Sequence, residues 1–182
     1  MRIKEKEIII PTGEKIILRS AKKEDAESVC AHKYITSEES YYMARYPEEC
    51  EHDVSAIETR LSDIEKHPQN FSVTAFKDGK VIGDLGVTQI RNHIKFRHRA
   101  YMGISIQKKY WNCGLGSQMV DIAVKQAKEN GFEQLELGVF ADNERAIHLY
   151  EKFGFQNYGV QPRAFKLKDG TYHDEVIMVR IF

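Results

Sequence analysis

An α/β fold is predicted, with a mixed, mostly antiparallel sheet of roughly six to seven strands flanked by about four helices. Three observations carry that prediction. A strand-like run, Ala100 to Ile106, feeds a loop with Gly114 and Gly116 and then an amphipathic helix, YWNCGLGSQMVDIAVKQA from Tyr110 to Ala127. Alternating apolar runs close on themselves at Asp78-Gly79 and Asp169-Gly170, the signature of antiparallel hairpins. A strand from Gln134 to Phe140 follows the helix, so strand, crossover helix and strand make one parallel pair.

Taken in order, Glu7 to Ile10 and Lys15 to Arg19 are β-rich runs separated by Pro11-Thr12-Gly13, which predicts an opening hairpin. Ser20 is placed as the cap of the helix that follows, which carries Ala26, Val29, Cys30 and Lys33-Tyr34 and gives way to the segment from Ser37 to Asp53. Val54, Ile57, Leu61 and Ile64 recur at helical spacing and predict a second helix ending near His67-Pro68. Phe71 to Ala75, then Val81 to Ile90, form a hairpin. A basic connection from Arg91 to Arg99 leads to the strand at Ala100. Gly131 stops the helix after the glycine loop. Asn143 begins the last helix and Gly154 ends it. Phe155 to Leu167 and Tyr172 to Ile181 close the chain as an antiparallel pair.

The 182 residues suit a single domain spanning 1–182, long enough to bury a core. With 27 basic and 27 acidic side chains there is no global field to attract nucleic acid or an anionic membrane. No apolar run approaches the ~20 residues that span a bilayer, and MRIKEKEIII lacks the apolar core of a signal peptide, so a cytoplasmic location is expected. Cys30, Cys50 and Cys113 share no C-x-x-C spacing, which argues against a disulfide framework and against a metal site.

The glycine loop carries the first chemical signal. The first turn of a helix has N–H groups without intrahelical partners, and the macrodipole adds about half a positive charge. Such a loop either cradles a phosphate or lets two elements pack closely. It lacks the Lys and Ser/Thr of a P-loop, which disfavours a nucleotide-binding protein. Cys113, at a helix N-terminus, is a weak candidate nucleophile with no His beside it in sequence.

Two matches then coincide. The strand, glycine loop and helix from Ala100 to Lys128, together with Asn143-Glu144-Arg145-Ala146-Ile147-His148-Leu149-Tyr150-Glu151-Lys152-Phe153-Gly154-Phe155, resemble the GNAT superfamily of acetyl-CoA-dependent N-acetyltransferases. The second stretch is similar to that family's N-x-x-A-x-x-L-Y-x-x-x-G-F, and the order of elements fits from about Ile16 to Phe182. Trp111 departs from the pattern, because the family usually has Arg or Gln three residues before the first glycine.

The resemblance implies direct transfer of acetyl from acetyl-CoA to a primary amine, most simply a small molecule such as an amino acid, polyamine or amine antibiotic. Protein N-termini or lysines are the alternative acceptors, and a non-catalytic acyl-CoA sensor is the alternative function. It implies that Asn112, Cys113, Gly114, Leu115, Gly116 and Ser117 hold the pyrophosphate through backbone N–H groups. Ile104, Ser105 and Ile106 would line the pantetheine arm, with an N–H near Ile104 or Ile106 polarising the thioester. Asn143 and Ala146 would touch the cofactor, although Asn143 is equally suited to cap its helix. Tyr150 is placed beside the sulfur as general acid; as an ordinary stripe aromatic it would instead have a satisfied hydroxyl. Glu39, Tyr42 and Tyr101 fall beside the acceptor. Many relatives place a Glu where this chain has Tyr101 or Met102, leaving Glu39, Asp84, His98, Glu175 or a water relay as the base. Acids from Glu38 to Asp53, interleaved with Tyr41, Tyr42 and Tyr46, form either an acidic aromatic lip or a solvated loop. A homodimer through edge strands is expected.

Overall fold

A computed structural model describes residues 1–182. Its elements are β1 (Lys6–Ile9), β2 (Lys15–Arg19), α1 (Ala26–Glu39), α2 (Val54–Lys66), β3 (Phe71–Lys77) and β4 (Lys80–Gln89). There follow β5 (Arg99–Ile106), α3 (Leu115–Glu129), β6 (Gln134–Phe140), α4 (Glu144–Lys152), β7 (Gln156–Lys166) and β8 (Tyr172–Ile181). All eight strands join one sheet in the order β1-β2-β3-β4-β5-β6-β8-β7, where six to seven were expected. The opening hairpin accounts for the difference, because β2 pairs onto β3 and so brings β1 into the same sheet.

The two faces are covered differently. Ile16, Leu18, Val73, Leu85 and Met102 pack against Leu115, Met119, Val120, Ala123 and Ala127 of α3, and Tyr150 of α4 joins that core. A smaller core of Ala26, Val29, Ile57, Leu61, Phe76 and Val81 sits under α1 and α2. Side chains of a strand alternate between faces, so each strand contributes to both.

Ser20 does not cap α1. Its hydroxyl accepts from Ile3 N–H at 3.0 Å and donates to the Ser72 carbonyl at 2.8 Å, stitching β2 to β3. A short 3₁₀ turn, Lys23–Asp25, precedes the helix instead. Asp25 is held there by Arg19 through bonds of 2.7 and 2.8 Å. Helix α1 also runs past Ser37 to Glu39, with Val29, His32 and Thr36 on its buried stripe.

Only β5 and β6 run parallel, and they pair over three positions, Arg99↔Gln134, Ala100↔Leu135 and Tyr101↔Glu136. Beyond Tyr101 the strands part. Strand β5 stays paired with β4 through to Ile106, so its other edge opens toward β6. Which groups face that gap follows from the ladder. Gln107 N–H bonds Ile82 and the Arg99 carbonyl accepts from Ile90, so the main chains of the odd residues turn to β4. Those of Ile104 and Ile106 therefore face the opening, whereas the Met102 N–H is the last group of β5 spent on β6, in the Tyr101↔Glu136 pairing.

Candidate active site

The split holds a cavity of about 720 Å³. It is lined on the α3 and α4 side by Ile104, Ile106, Gly114, Gly116, Ala146 and Tyr150, and on the α1 side by Tyr101, Gly103, Ser105, Gly138, Phe140 and Glu175. The two lists lie on opposite faces of the sheet by strand alternation, so the cavity passes through the sheet at the split.

The glycine loop is built for the conformation it adopts. Gly114 is the N-cap of α3 at φ +80°, a left-handed value that a Cβ disfavours, and Asn112 takes φ +59°. No side chain caps α3, and its first intrahelical bond is Gln118 N–H to the Gly114 carbonyl. The N–H groups of Leu115, Gly116 and Ser117 are therefore left to whatever occupies the loop. A Cβ on Gly116 would meet Leu149 at 3.2 Å and Ile106 at 3.4 Å, so this glycine also permits close packing.

Of the expected donor-site residues, Ile104, Ile106, Asn112, Gly114, Gly116, Ser117, Asn143, Ala146 and Tyr150 all line the cavity. Leu115 contributes only main chain, since its side chain is fully buried in the core. Cys113 turns away, its thiol donating to the Tyr110 carbonyl at 3.0 Å. Ser105 lines the cavity, but its main chain belongs to the β4 ladder and its side chain lies on the α1 face. Asn143 caps α4, accepting from Ala146 N–H at 3.3 Å.

Tyr150 is buried, and its hydroxyl has no hydrogen-bond partner in the protein, unlike an ordinary core tyrosine. Burial, with Tyr101 nearby, drives its phenol well above the ordinary value, so it stays protonated across the physiological range.

On the other face, Tyr101 accepts from Gly138 N–H at 3.0 Å, which leaves its own proton free toward the cavity. The Glu175 carboxylate lies against Gly138, on the space a Cβ there would take, and burial raises its pKa. Glu175 is the one candidate base whose side chain reaches this wall. Glu39 instead accepts from Lys108 N–H at 2.7 Å, outside the lining. Asp84 accepts from the Thr74 hydroxyl at 2.8 Å beneath α1. His98 contributes its carbonyl to Glu133 and Gln134 and stays away from the cavity.

Tyr42 lines the cavity beside Phe140, which stacks on Phe165 at 3.8 Å between ring centroids. The acids around it are spent locally. Glu48 pairs with Lys168, Glu49 accepts from Tyr46 N–H, Glu51 from Asp53 N–H, and Asp53 caps α2. None of these acids, nor Glu38, lines the cavity. The loop presents Arg45 to the cavity instead.

Sequence reasoning also missed Arg145 and His32. Arg145 lies in the second motif and lines the cavity; His32 falls on the apolar stripe of α1 with Val29 and Thr36, a spacing that marks it as buried.

A mixed sheet parted beside a phosphate-type loop, with a buried phenol across the gap, defines the acyl-CoA-dependent N-acyltransferases as a class. Residues 32–155 match the model of the acetyltransferase (GNAT) family, and the chain belongs to that family. An L-amino acid N-acetyltransferase of Escherichia coli K12 is 27% identical over 170 residues, covering 91% of this chain and 98% of the relative. A GNAT acetyltransferase structure from Streptococcus pneumoniae superposes with a TM-score of 0.88 at 28% identity, covering 92% of this chain and 99% of the other. A Salmonella typhimurium structure solved with its cofactor acetyl-CoA shares the fold, with a TM-score of 0.76 at 17% identity over 91% and 93% of the two chains. No helix is long and apolar enough to cross a membrane.

Proposed function

We propose that this chain, as a single domain over residues 1–182, moves acetyl from acetyl-CoA directly to the primary amine of a small molecule, an amino acid being the acceptor class best supported. The observation that carries the reading is the cavity through the sheet. It joins an anion-binding loop and a free phenol on one face to a carboxylate and a free Arg45 on the other. Donor and acceptor thereby meet at the split from opposite sides.

In this reading the pyrophosphate sits on the N–H groups of Gly114 to Ser117, and the pantetheine arm lies along Met102 to Ile106 like an added strand. The N–H of Ile104 or Ile106 polarises the thioester carbonyl. Tyr150 donates to the departing sulfur; burial disfavours phenolate and thiolate alike, which keeps the two acids comparable. On the acceptor face the charged side chains are Arg45 and Glu175, a pair of opposite sign that favours an acceptor carrying both a carboxylate and an ammonium over a polycation. The L-amino acid activity of the Escherichia coli relative points the same way. Edge strand β7, with Tyr158 and Val160 exposed, supports a homodimer.

Thermal unfolding with and without acetyl-CoA tests the donor assignment. At ligand near 100 times Kd, the stabilisation is about 2.7 kcal/mol, a rise of roughly 5 to 10 °C in Tm. ATP and NAD should give none. A folded protein free of CoA that shows no rise with acetyl-CoA would remove the proposal.

A further inference from the structure

Behind the acceptor wall lies a polar cluster on the sheet face under α1. Thr74, Asp84 and Ser105 stand opposite one another across β3, β4 and β5, so their side chains share the face under α1. His32 of α1 covers them. It is fully buried, and its Nε2 lies 2.9 Å from the Ser105 hydroxyl oxygen. Its Nδ1 is buried with no partner. A histidine kept only for packing would spend both ring nitrogens, because an orphaned buried polar atom costs about 1–3 kcal/mol.

We propose that Ser105 takes the acceptor's proton and hands its own to His32, so that this pair, with Asp84 behind it, deprotonates the ammonium. The proposal rests on the acetyl-transfer reading above. Ser105 is the catalytic residue, lining the cavity on the face of Glu175 and Tyr101; His32 acts through it as a positioning residue and proton store.

The balance closes. The ammonium loses one N–H proton to Ser105 Oγ as the serine O–H proton passes to His32 Nε2. The amine lone pair then attacks the thioester carbon, the C–N bond forms and the C–S bond breaks. Tyr150 protonates the sulfur and regains a proton from the new amide nitrogen, while the proton on His32 is the one released to solvent.

The surroundings suit an imidazole that is neutral at rest and tolerates a transient charge. Burial pushes its pKa below the ordinary value, and the Asp84 carboxylate opposes that shift. Lys33, next along the helix, is itself pushed down to about 8 by burial, with Arg60 and Arg45 beside it. Glu175 is therefore left to bind the ammonium and orient it.

The test uses the full chain with CoA bound. Long-range ¹H–¹⁵N spectra of the imidazoles should show His32 neutral at pH 7.5 with a bare Nε2, and Ser105→Ala should move that resonance. A protonated Nε2 in the neutral ring overturns the proposal, since that nitrogen has no room for a proton. Kinetics follow with whichever member of a panel of the standard L-amino acids and spermidine turns over best. Wild-type kcat/KM should rise through an inflection below pH 6.5 and level off. In His32→Gln, kcat should fall about 10²–10⁴-fold, and kcat/KM should climb tenfold per pH unit toward the amine's own pKa. Ser105→Ala should do the same, with the acetyl-CoA-induced rise in Tm retained in both. An inflection that survives His32→Gln, or that disappears only in Glu175→Gln, overturns the relay. Loss of the acetyl-CoA response in the wild type condemns the acetyl-transfer reading instead.

Discussion

The Arg145 guanidinium lies over the Trp111 ring, 3.5 Å from its centroid, and the same indole donates its Nε1–H to the Ile106 carbonyl at 2.7 Å. The aromatic that stands where relatives carry Arg or Gln thus holds a cation supplied by α4. It also fixes the end of β5 from which the cavity's main-chain groups project. Trp111→Ala and Arg145→Met are each expected to weaken acetyl-CoA binding, with a coupling of about 0.5–2 kcal/mol in a double-mutant cycle measured by calorimetry. Arg145→Lys should not restore affinity, because an ammonium stacks poorly where a planar guanidinium lay. Independent, additive losses would show that the stack contributes nothing to the donor site.

Tyr150→Phe removes only the free hydroxyl. The expected outcome is a fall in kcat of about 10²–10⁴-fold, with the acetyl-CoA-induced rise in Tm retained. Because burial raises the phenol's pKa, wild-type kcat should show no loss from Tyr150 ionisation up to pH ~10. Unchanged turnover in the Phe variant would remove Tyr150 from the chemistry.

Gly138→Ala places a methyl on the space the Glu175 carboxylate occupies, close also to the Tyr101 hydroxyl at 3.1 Å. The tip of Glu175 can rotate away, so the fold should survive with Tm nearly unchanged. Steady-state kinetics should then show a raised KM for the acceptor and an unaltered KM for acetyl-CoA. Equal effects on both substrates would argue that the carboxylate serves no acceptor.

Glu175→Gln separates stability from function. The folded-state pKa of Glu175 lies above its unfolded value because burial disfavours the anion. Ionised Glu175 therefore costs stability above the unfolded carboxyl pKa, near 4.3, and costs nothing well below it. The Gln variant should melt higher than wild type at pH 7, match it near pH 3.5, and turn over more slowly. A lower Tm at pH 7 would mean that the carboxylate is better paired than its surroundings indicate.

Much of this architecture is legible in the residues because local signals agree. The run from Gln134 to Phe140 alternates cleanly, Gly131 and Gly154 take φ +83° and +77° where helices stop, and the loop at Gly114 adopts the left-handed turn its glycine predicts. What was not legible depends on partners distant in sequence. Glu48 looks like part of an acidic lip until Lys168, 120 residues on, neutralises it. His32 and Ser105 are 73 residues apart, and neither advertises the other. Ser20, placed as a helix cap from its position alone, is claimed by Ile3 and Ser72 because a strand edge lay closer than a helix end. Ser105 resembles a backbone contact for the cofactor until the ladder shows its amide committed to β4.

The three-position joint between β5 and β6 divides the sheet into a five-stranded and a three-stranded part. Of the other neighbouring pairs, β2 and β3 also share three positions and the rest are fastened over at least four. In mechanical terms the joint is a seam, and the pantetheine arm is the thread that would close it. Amide exchange is where this becomes visible. The N–H groups of Ile104 and Ile106 face no strand, so they should exchange freely in the empty protein while those of Gly103 and Ser105, turned to β4, stay protected. Filling the gap should slow the even-numbered amides and leave the odd ones as they were, an alternation that global stabilisation would not produce.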